Sequence, residues 1–203
     1  MQGDNLCLLI FFLDHTWGKK LVAKMKKIKR YNIKRPTKDK YYLNIAREVA
    51  RRSTCLRRAF GAVIVNRDQI VSTGYGGAPR QTINCISIGI CLRDQLKVKP
   101  GEKYELCRSV HAEQNAIIHS SRLDMIGATL YLVGLDYKTK KILNNAEPCR
   151  MCKRMIINAG INKVVIQNSR RIRGFEVSEW IGSNLNEFEE KGGKLVPRMA
   201  EGY

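Results

Sequence analysis

Acidic residues are scarce in this chain: 37 lysines and arginines stand against 18 aspartates and glutamates, a net charge of +19 over 203 residues. That deficit points to an anionic partner (nucleic acid, nucleotide phosphates or an acidic surface) or to a solvated basic face. Aromatics are also few, at 7%. A groove that tracks a nucleic-acid strand needs aromatic platforms along a basic path, and Tyr75 and Tyr137 are the few candidates. Long apolar runs are missing too. The run from Leu6 to Leu13, LCLLIFFL, is flanked by Asp4 and Asp14 and falls well short of the ~20 residues that span a bilayer. It reads as a tail segment packing on another surface, or as part of an upstream extension with Met25 as the natural first residue. No secretory leader with a basic start and a small-residue cleavage site is visible. A cytoplasmic location with no membrane partner is the expectation. The composition is neither fibrous nor disordered, no internal repeat stands out, and the length suits one globular domain with some extension.

The seven cysteines are an odd number. Two of them, Cys149 and Cys152, form a C-x-x-C pair beside a helical segment. Such cysteines in a cytosolic protein serve metal more often than disulfides. Cys7 has no assignable role.

Residues 1–38 read as a basic N-terminal extension, too charged and irregular to be core, with Pro36 near its end. YYLNIAREVARR has helical apolar spacing at Leu43, Ile45, Ala46, Val49 and Ala50. GAVIVN and QIVSTGY are two strands joined by Arg67-Asp68, a hairpin. Residues 76–108 carry glycine, proline and three cysteines with little periodicity and read as a long loop. The segment from His111 to Arg122 is helical, ATLYLVGL is a third strand, and PCRMCKRMIINAG is a helix beginning at Pro148 and ending at Gly160. NKVVIQ is a fourth strand, and Ser178 to Phe188 suggests one more helix. Strands alternating with helices in the second half predict a layered α/β fold with some parallel pairing. The expected division is an extension over 1–38, a catalytic domain over 39–170 and a C-terminal extension over 171–203 packing on that domain.

His111, Cys149 and Cys152 stand out as metal ligands. Three protein ligands leave a fourth tetrahedral position open, the mark of a catalytic zinc. Each sits at a predicted helix start, where the partial positive charge favours thiolates. Glu113 lies two residues after His111, placed to reach water at the metal without binding the metal itself. His-x-Glu followed by Pro-Cys-x-x-Cys is the known signature of zinc deaminases.

The resemblance reaches beyond that signature. STCLRRAFGAVIVNRDQIVSTGYGGAP is similar to the opening strands of deoxycytidylate (dCMP) deaminases, and CRSVHAEQNAI and IINAGINKVVI to the two zinc-bearing segments of that family. It covers about residues 36–170. It implies a three-layer α/β/α fold, a central mixed five-stranded sheet with helices on both faces and zinc between two helix N-termini. It implies hydrolytic deamination of a cytosine nucleotide, most simply dCMP to dUMP, with Zn2+ on His111, Cys149 and Cys152 and Glu113 as the proton shuttle. It places the backbone N–H of Ala112 on the pyrimidine carbonyl and the carbonyl of Glu147 on the leaving amine. Tyr75 and Arg80 are further substrate candidates, with Arg57, Arg58 and Arg108 as alternative phosphate ligands. Some members hold a second, structural zinc on cysteines matching Cys55 and Cys85; with Cys91 and Cys107 four thiols are available here, or all four are simply buried. By analogy the chain is a homo-oligomer with dCTP and dTTP as effectors, and Arg122 matches an arginine near subunit contacts.

Three departures stand against the family pattern. Gly74-Tyr75-Gly76-Gly77 replaces the usual Gly-Tyr-Asn-Gly, so Gly76 lacks a sugar-contacting side chain. DYKTKKILNN, residues 136–145, intervenes before the Pro-Cys, either reshaping the pocket mouth or forming a surface hairpin. The basic lead-in is the third. Two other functions fit the residues: deamination of tRNA or single-stranded DNA, which the charge favours, and zinc-stabilised binding without catalysis, which an intact Glu113 opposes.

Overall fold

The computed structural model describes residues 34–99, 102–183 and 188–197. The apolar run Leu6–Leu13, Cys7, Met25 and most of the basic extension lie outside the described residues. Residues from Pro36 onward form one compact unit. Among the described residues no helix is long and apolar enough to cross a membrane.

The chain runs through α1 (Lys38–Ala50), β1 (Arg58–Asn66), β2 (Gln69–Tyr75), two four-residue helices α2 (Cys85–Ile88) and α3 (Leu92–Gln95), and a 3-10 turn at Tyr104–Leu106. It continues through α4 (Ala112–Ile118), α5 (Arg122–Met125), β3 (Thr129–Asp136), α6 (Arg150–Ala159), β4 (Lys163–Gln167), β5 (Ile172–Glu176), α7 (Val177–Ser183) and the hairpin β6 (Phe188–Lys191) and β7 (Lys194–Pro197). The main sheet has the order β2-β1-β3-β4-β5. Only β3 and β4 run parallel, and α6 is their crossover; the other neighbours are antiparallel. The mixed five-stranded sheet and its α/β/α layering agree with the expectation.

Side chains alternate across a strand, and the two faces of β1 and β3 bury different partners. Val63, Val65, Tyr131, Val133 and Leu135 pack with Leu43, Ala46 and Ala50 of α1. Ala62, Ile64, Leu130 and Leu132 pack with Ala112 and Ala116 of α4, Ile156 of α6 and Trp180 of α7. Two glycines seat the helices. A Cβ on Gly61 would stand 2.3 Å from the Ala46 carbonyl oxygen and the Ala50 nitrogen, and one on Gly74 would stand 2.2 Å from the Ala116 nitrogen. Backbone-to-backbone approach of this kind brings α1 and α4 down onto the sheet from opposite sides.

Several local expectations change. The loop over 76–108 contains α2, α3 and the 3-10 turn, helices too short to show periodicity. The helix expected from His111 to Arg122 breaks after Ile118 and restarts at Arg122, because the Ser121 side chain caps the Asp124 N–H. Pro148 lies outside its helix: Cys149, extended at φ −68° and ψ 166°, is the N-cap and Arg150 the first residue. Expected strand four has an antiparallel neighbour, β5, whose exposed and half-buried residues alternate weakly. The helix placed over Ser178–Phe188 covers Val177–Ser183, and Phe188 opens a strand. Residues 136–145 fold back on the end of β3, Leu143 N donating to the Gly134 carbonyl at 2.9 Å, which is the surface-hairpin alternative.

Adding a methyl group distinguishes seat from space. Gly61→Ala is expected to cost about 3 kcal/mol of stability through overpacking. Gly76→Ala is expected to stay within about 0.5 kcal/mol, since its Cβ would meet nothing closer than Ser53 Oγ at 3.6 Å. Urea denaturation of both variants checks the contrast.

Candidate metal and active site

Two helix N-termini meet over the face of the sheet that carries α4 and α6. His111 is the N-cap of α4, extended at φ −69° and ψ 156°, and its backbone N–H is held by Gln114 Oε1 at 2.8 Å. Cys149 is the N-cap of α6 and Cys152 lies in its first turn, fully buried. Because α4 packs against α6, the three side chains converge. The Cys149 and Cys152 sulfurs lie 3.5 and 3.3 Å from His111 Nδ1. Among the described residues they are the one set of three or more potential ligands whose donor atoms all lie within 4.8 Å of one another.

Glu113 sits one residue into α4 and is buried at 4% exposure. Burial pushes its carboxyl above the ordinary carboxylate range, and the nearby His111 charge only partly opposes this. The sulfur pair splits in direction. A hydrogen bond from Cys152, with a further one to His111, brings Cys149 down to about 4 despite burial, while that same bond and burial push Cys152 up. His111 is pulled down by burial but raised on balance by its hydrogen bond to Cys149 and the charge of Glu113. The cluster therefore favours a thiolate beside an imidazole and a carboxyl that can hold a proton.

The donor set fits zinc. One imidazole nitrogen and two cysteine sulfurs match that ion's borderline-soft preference, and three protein donors are the number found in catalytic zinc sites. A thiolate stabilised at a helix N-terminus is the form that binds metal.

The cluster forms the base of a cavity of about 160 Å³. Ala112, Glu113 and Glu147 line it together with Gly76 and four arginines, Arg57, Arg58, Arg93 and Arg108. Arg57 pairs with Asp94 at 3.1 Å, and Arg108 donates to the Ile83 carbonyl at 3.1 Å. Arg58 pairs with no carboxylate among the described residues. Glu147 is clamped by Arg173 of β5 at 3.0 Å, which fixes the segment leading into Pro148. Tyr75 and Arg80 do not line this cavity. Tyr75 offers its carbonyl to Asn115 Nδ2 at 2.8 Å, and Arg80 contacts His119 Nε2 at 2.6 Å. Cys55, Cys85, Cys91 and Cys107 share the outer cavity wall. The Cys85 thiol is pushed up by burial and then by its three neighbours, but the four sulfurs do not reach the mutual closeness of the His111 cluster.

Sequence reasoning missed Arg93, Tyr104 and Arg173. Arg93 is 6% exposed, donates to the Lys99 and Glu102 carbonyls at 2.9 and 2.6 Å, and stacks over Tyr104 at 4.9 Å. Tyr104 in turn sits edge-on to the His111 ring at 5.2 Å. Nothing in the local pattern CLRDQ distinguishes this arginine from a surface one.

Residues 36–168 match the family described as cytidine and deoxycytidylate deaminase zinc-binding region. The chain belongs to this deaminase family. It is 38% identical over 136 residues to the deoxycytidylate deaminase of Mycobacterium phage D29, covering 64% of this chain and 94% of that protein. It is 34% identical over 160 residues to the deoxycytidylate deaminase of Saccharomyces cerevisiae, covering 76% of this chain but 46% of the yeast protein. The chain thus spans about half the length of its yeast relative. A dCMP deaminase from the cyanophage S-TIM5 superposes with a TM-score of 0.46 at 25% identity, over 66% of this chain and 86% of that one. The deaminase is a zinc enzyme of the hydrolase type, and the His111, Cys149 and Cys152 cluster is consistent with the family's metal.

If the cluster holds this metal, purified protein carries about one zinc per chain. Cys152→Ala is expected to lower that several-fold, measured by elemental analysis. Chelation of the parent protein should expose two additional thiols, those of Cys149 and Cys152, to a colorimetric thiol reagent.

Proposed function

We propose that the deaminase hydrolyses dCMP to dUMP and ammonia. The observation that carries the reading is the buried Glu113 carboxyl beside the His111, Cys149 and Cys152 cluster at the base of an arginine-lined cavity. Zinc on those three residues would supply Lewis-acid chemistry that makes water nucleophilic near neutral pH.

The chain's own groups supply the rest. Glu113 takes a proton from the attacking water and gives it to N3 of the cytosine ring; it then takes the proton of the new C4 hydroxyl and hands it to the amino group, so that the C4–N bond breaks, ammonia leaves and C4 becomes a carbonyl. A carboxyl raised by burial is suited to both transfers. Ala112 is the first residue of α4, and the first N–H groups of a helix have no intrahelical partner; its N–H would hold the pyrimidine carbonyl. The Glu147 carbonyl would receive the leaving amine, its position fixed by the Arg173 clamp.

For the 5′-phosphate, Arg58 is the favoured contact, since it lines the cavity without a carboxylate partner, and Arg57 and Arg108 are the alternatives. Arg80, tied to His119, and Tyr75 are assigned no contact on this cavity. Gly76 leaves room where a longer side chain would touch the sugar, so ribose and deoxyribose substrates both merit assay. The relatives named for deoxycytidylate support a free nucleotide over a polymer. Homo-oligomerisation, dCTP and dTTP as effectors, a contact role for Arg122 and a second zinc on Cys55, Cys85, Cys91 and Cys107 belong to the proposal on resemblance alone.

Ammonia release from cytosine, cytidine, CMP, dCMP and dCTP decides the substrate, with dCMP expected to lead. Glu113→Gln is expected to keep zinc and fold and to lose about 10²–10⁴-fold in kcat; a loss under tenfold removes the shuttle role. Arg58→Ala is expected to raise KM for dCMP about tenfold while leaving deoxycytidine turnover unchanged, and equal effects on both substrates would refute the phosphate contact.

A further inference from the structure

We propose that Tyr104 and Arg93 are positioning residues for the metal ligand His111: the guanidinium holds the tyrosine ring, and the ring holds the imidazole in the orientation that grips zinc. The inference rests on the zinc assignment of the His111, Cys149 and Cys152 cluster. The backbone of His111 is fixed, since Gln114 Oε1 accepts from its N–H at 2.8 Å, but that bond leaves the ring free to turn about its side-chain torsions. The contacts of the ring nitrogens run through Nδ1, to the Cys152 and Cys149 sulfurs at 3.3 and 3.5 Å. Nε2 has no hydrogen-bond partner among the described residues. A histidine that ligates metal usually has its second nitrogen held by a carboxylate or a backbone carbonyl, and that bond sets the ring. Here packing has to set it.

Tyr104 supplies that packing. Its ring stands at 80° to the imidazole with the centroids 5.2 Å apart, the edge-to-face arrangement that aromatic pairs favour. Both residues line the metal cavity. The Tyr104 hydroxyl makes no hydrogen bond among the described residues, so the ring, not the oxygen, carries the contact. The backbone delivers the ring. Tyr104 opens the 3-10 turn after Lys103, which takes a left-handed φ of 45°, and Cys107 N closes the turn on the Tyr104 carbonyl at 2.9 Å. Further along, Val110 and Gly77 exchange two backbone hydrogen bonds at 2.8 and 3.1 Å. The segment between the tyrosine and His111 is thus pinned at both ends.

Arg93 holds the ring in turn. Its guanidinium carbon lies over Tyr104, 4.9 Å from the ring centroid. One nitrogen, Nη2, donates to the Lys99 and Glu102 carbonyls at 2.9 and 2.6 Å, which ties the cation to the chain just before Tyr104. Arg93 is 6% exposed and pairs with no carboxylate among the described residues, and its Nε is buried without a partner. Burying a guanidinium with so little compensation is costly. Stacking on an aromatic face is the compensation that its planar, weakly hydrated group accepts. Arg93, Tyr104 and His111 therefore form one continuous series of contacts from α3 to the metal cluster, and a costly buried cation is accounted for by the ring it steadies.

The test measures how fast the full zinc-loaded chain releases zinc to an excess of a colorimetric chelator. Tyr104→Leu, which removes the ring, is expected to release zinc about tenfold or more faster than the parent, the scale on which loss of a group supporting a metal ligand acts. Tyr104→Phe keeps the ring without the hydroxyl and is expected to release zinc within about twofold of the parent rate. Arg93→Met is expected to speed release several-fold and to add nothing to Tyr104→Leu in the double variant, because it acts through the ring. Replacing zinc with Co2+ gives a signature of ligand geometry that a merely structural role would not move. The visible ligand-field bands are expected to shift in Tyr104→Leu and to match the parent in Tyr104→Phe. Far-UV circular dichroism checks each fold; if Tyr104→Leu does not fold, Tyr104→Met, flexible and without a flat ring, is measured in its place. The inference is overturned if the folded ringless variant releases zinc within about twofold of the parent rate with unchanged cobalt bands. It is overturned equally if Tyr104→Phe loses zinc as fast as Tyr104→Leu, or if the Arg93 and Tyr104 effects add. A parent chain that carries no zinc overturns the cluster assignment and this inference with it, whereas a zinc-bearing parent whose variants hold zinc equally well overturns the inference alone.

Discussion

The meeting of the α4 and α6 N-termini governs the catalytic half of this molecule. A helix begins with unpaired N–H groups and a partial positive charge, and here two such ends share one small volume. The N-cap residues contribute His111 and Cys149, and the first turns contribute Glu113 and Cys152. Two constraints hold the ends in place. Gly74 lets α4 settle on β2 at a distance no side chain permits, and the parallel β3-α6-β4 crossover brings α6 alongside. Loosening either would separate the sulfurs from the imidazole, and the favoured thiolate at Cys149 rests first on the hydrogen bond from Cys152 and then on that contact.

A second set of contacts shapes the space above the cluster. The segment between β2 and α4 has little regular structure, yet it carries Arg93, Tyr104 and Arg108 into the cavity wall. Arg93 closes the segment on itself through two carbonyls and rests on Tyr104, which backs the His111 ring. Its buried Nε has no partner among the described residues. A loop held by a cation and an aromatic ring instead of a ladder of backbone bonds can vary in sequence while still covering a fixed metal cluster. The net charge of +19 thus has at least two local expressions in the fold: the arginines above the cluster, and Arg47, Arg51 and Lys140 around a separate cavity.

The sequence by itself determined the elements whose signals are local. The α1 periodicity, the β1-β2 hairpin through Arg67-Asp68 and the strands β3 and β4 all read directly, because burial of a face repeats at the spacing of the element. The cluster residues read equally well, since helix-cap positions and a two- or three-residue spacing are properties of a short segment. Other features depended on partners distant in sequence. β5 is an edge strand whose residues alternate only between exposed and half-buried, with the apolar Ile172 on its exposed side, so its own residues mark it poorly until β4 is beside it. Gly61 and Gly74 look like ordinary strand glycines until α1 and α4 press on them. Arg93 and Arg173 resemble surface arginines until Tyr104 and Glu147 are brought to them. Tertiary structure also decided which basic residues reach the cavity, placing Arg58 there and turning Arg80 toward His119. The physical reason is common to all of these. A cap or a periodic face is fixed by neighbours within one turn or one strand, whereas a half-buried ion pair such as Arg173–Glu147, a close backbone approach or a cavity wall exists only once the sheet has joined segments that the chain keeps far apart.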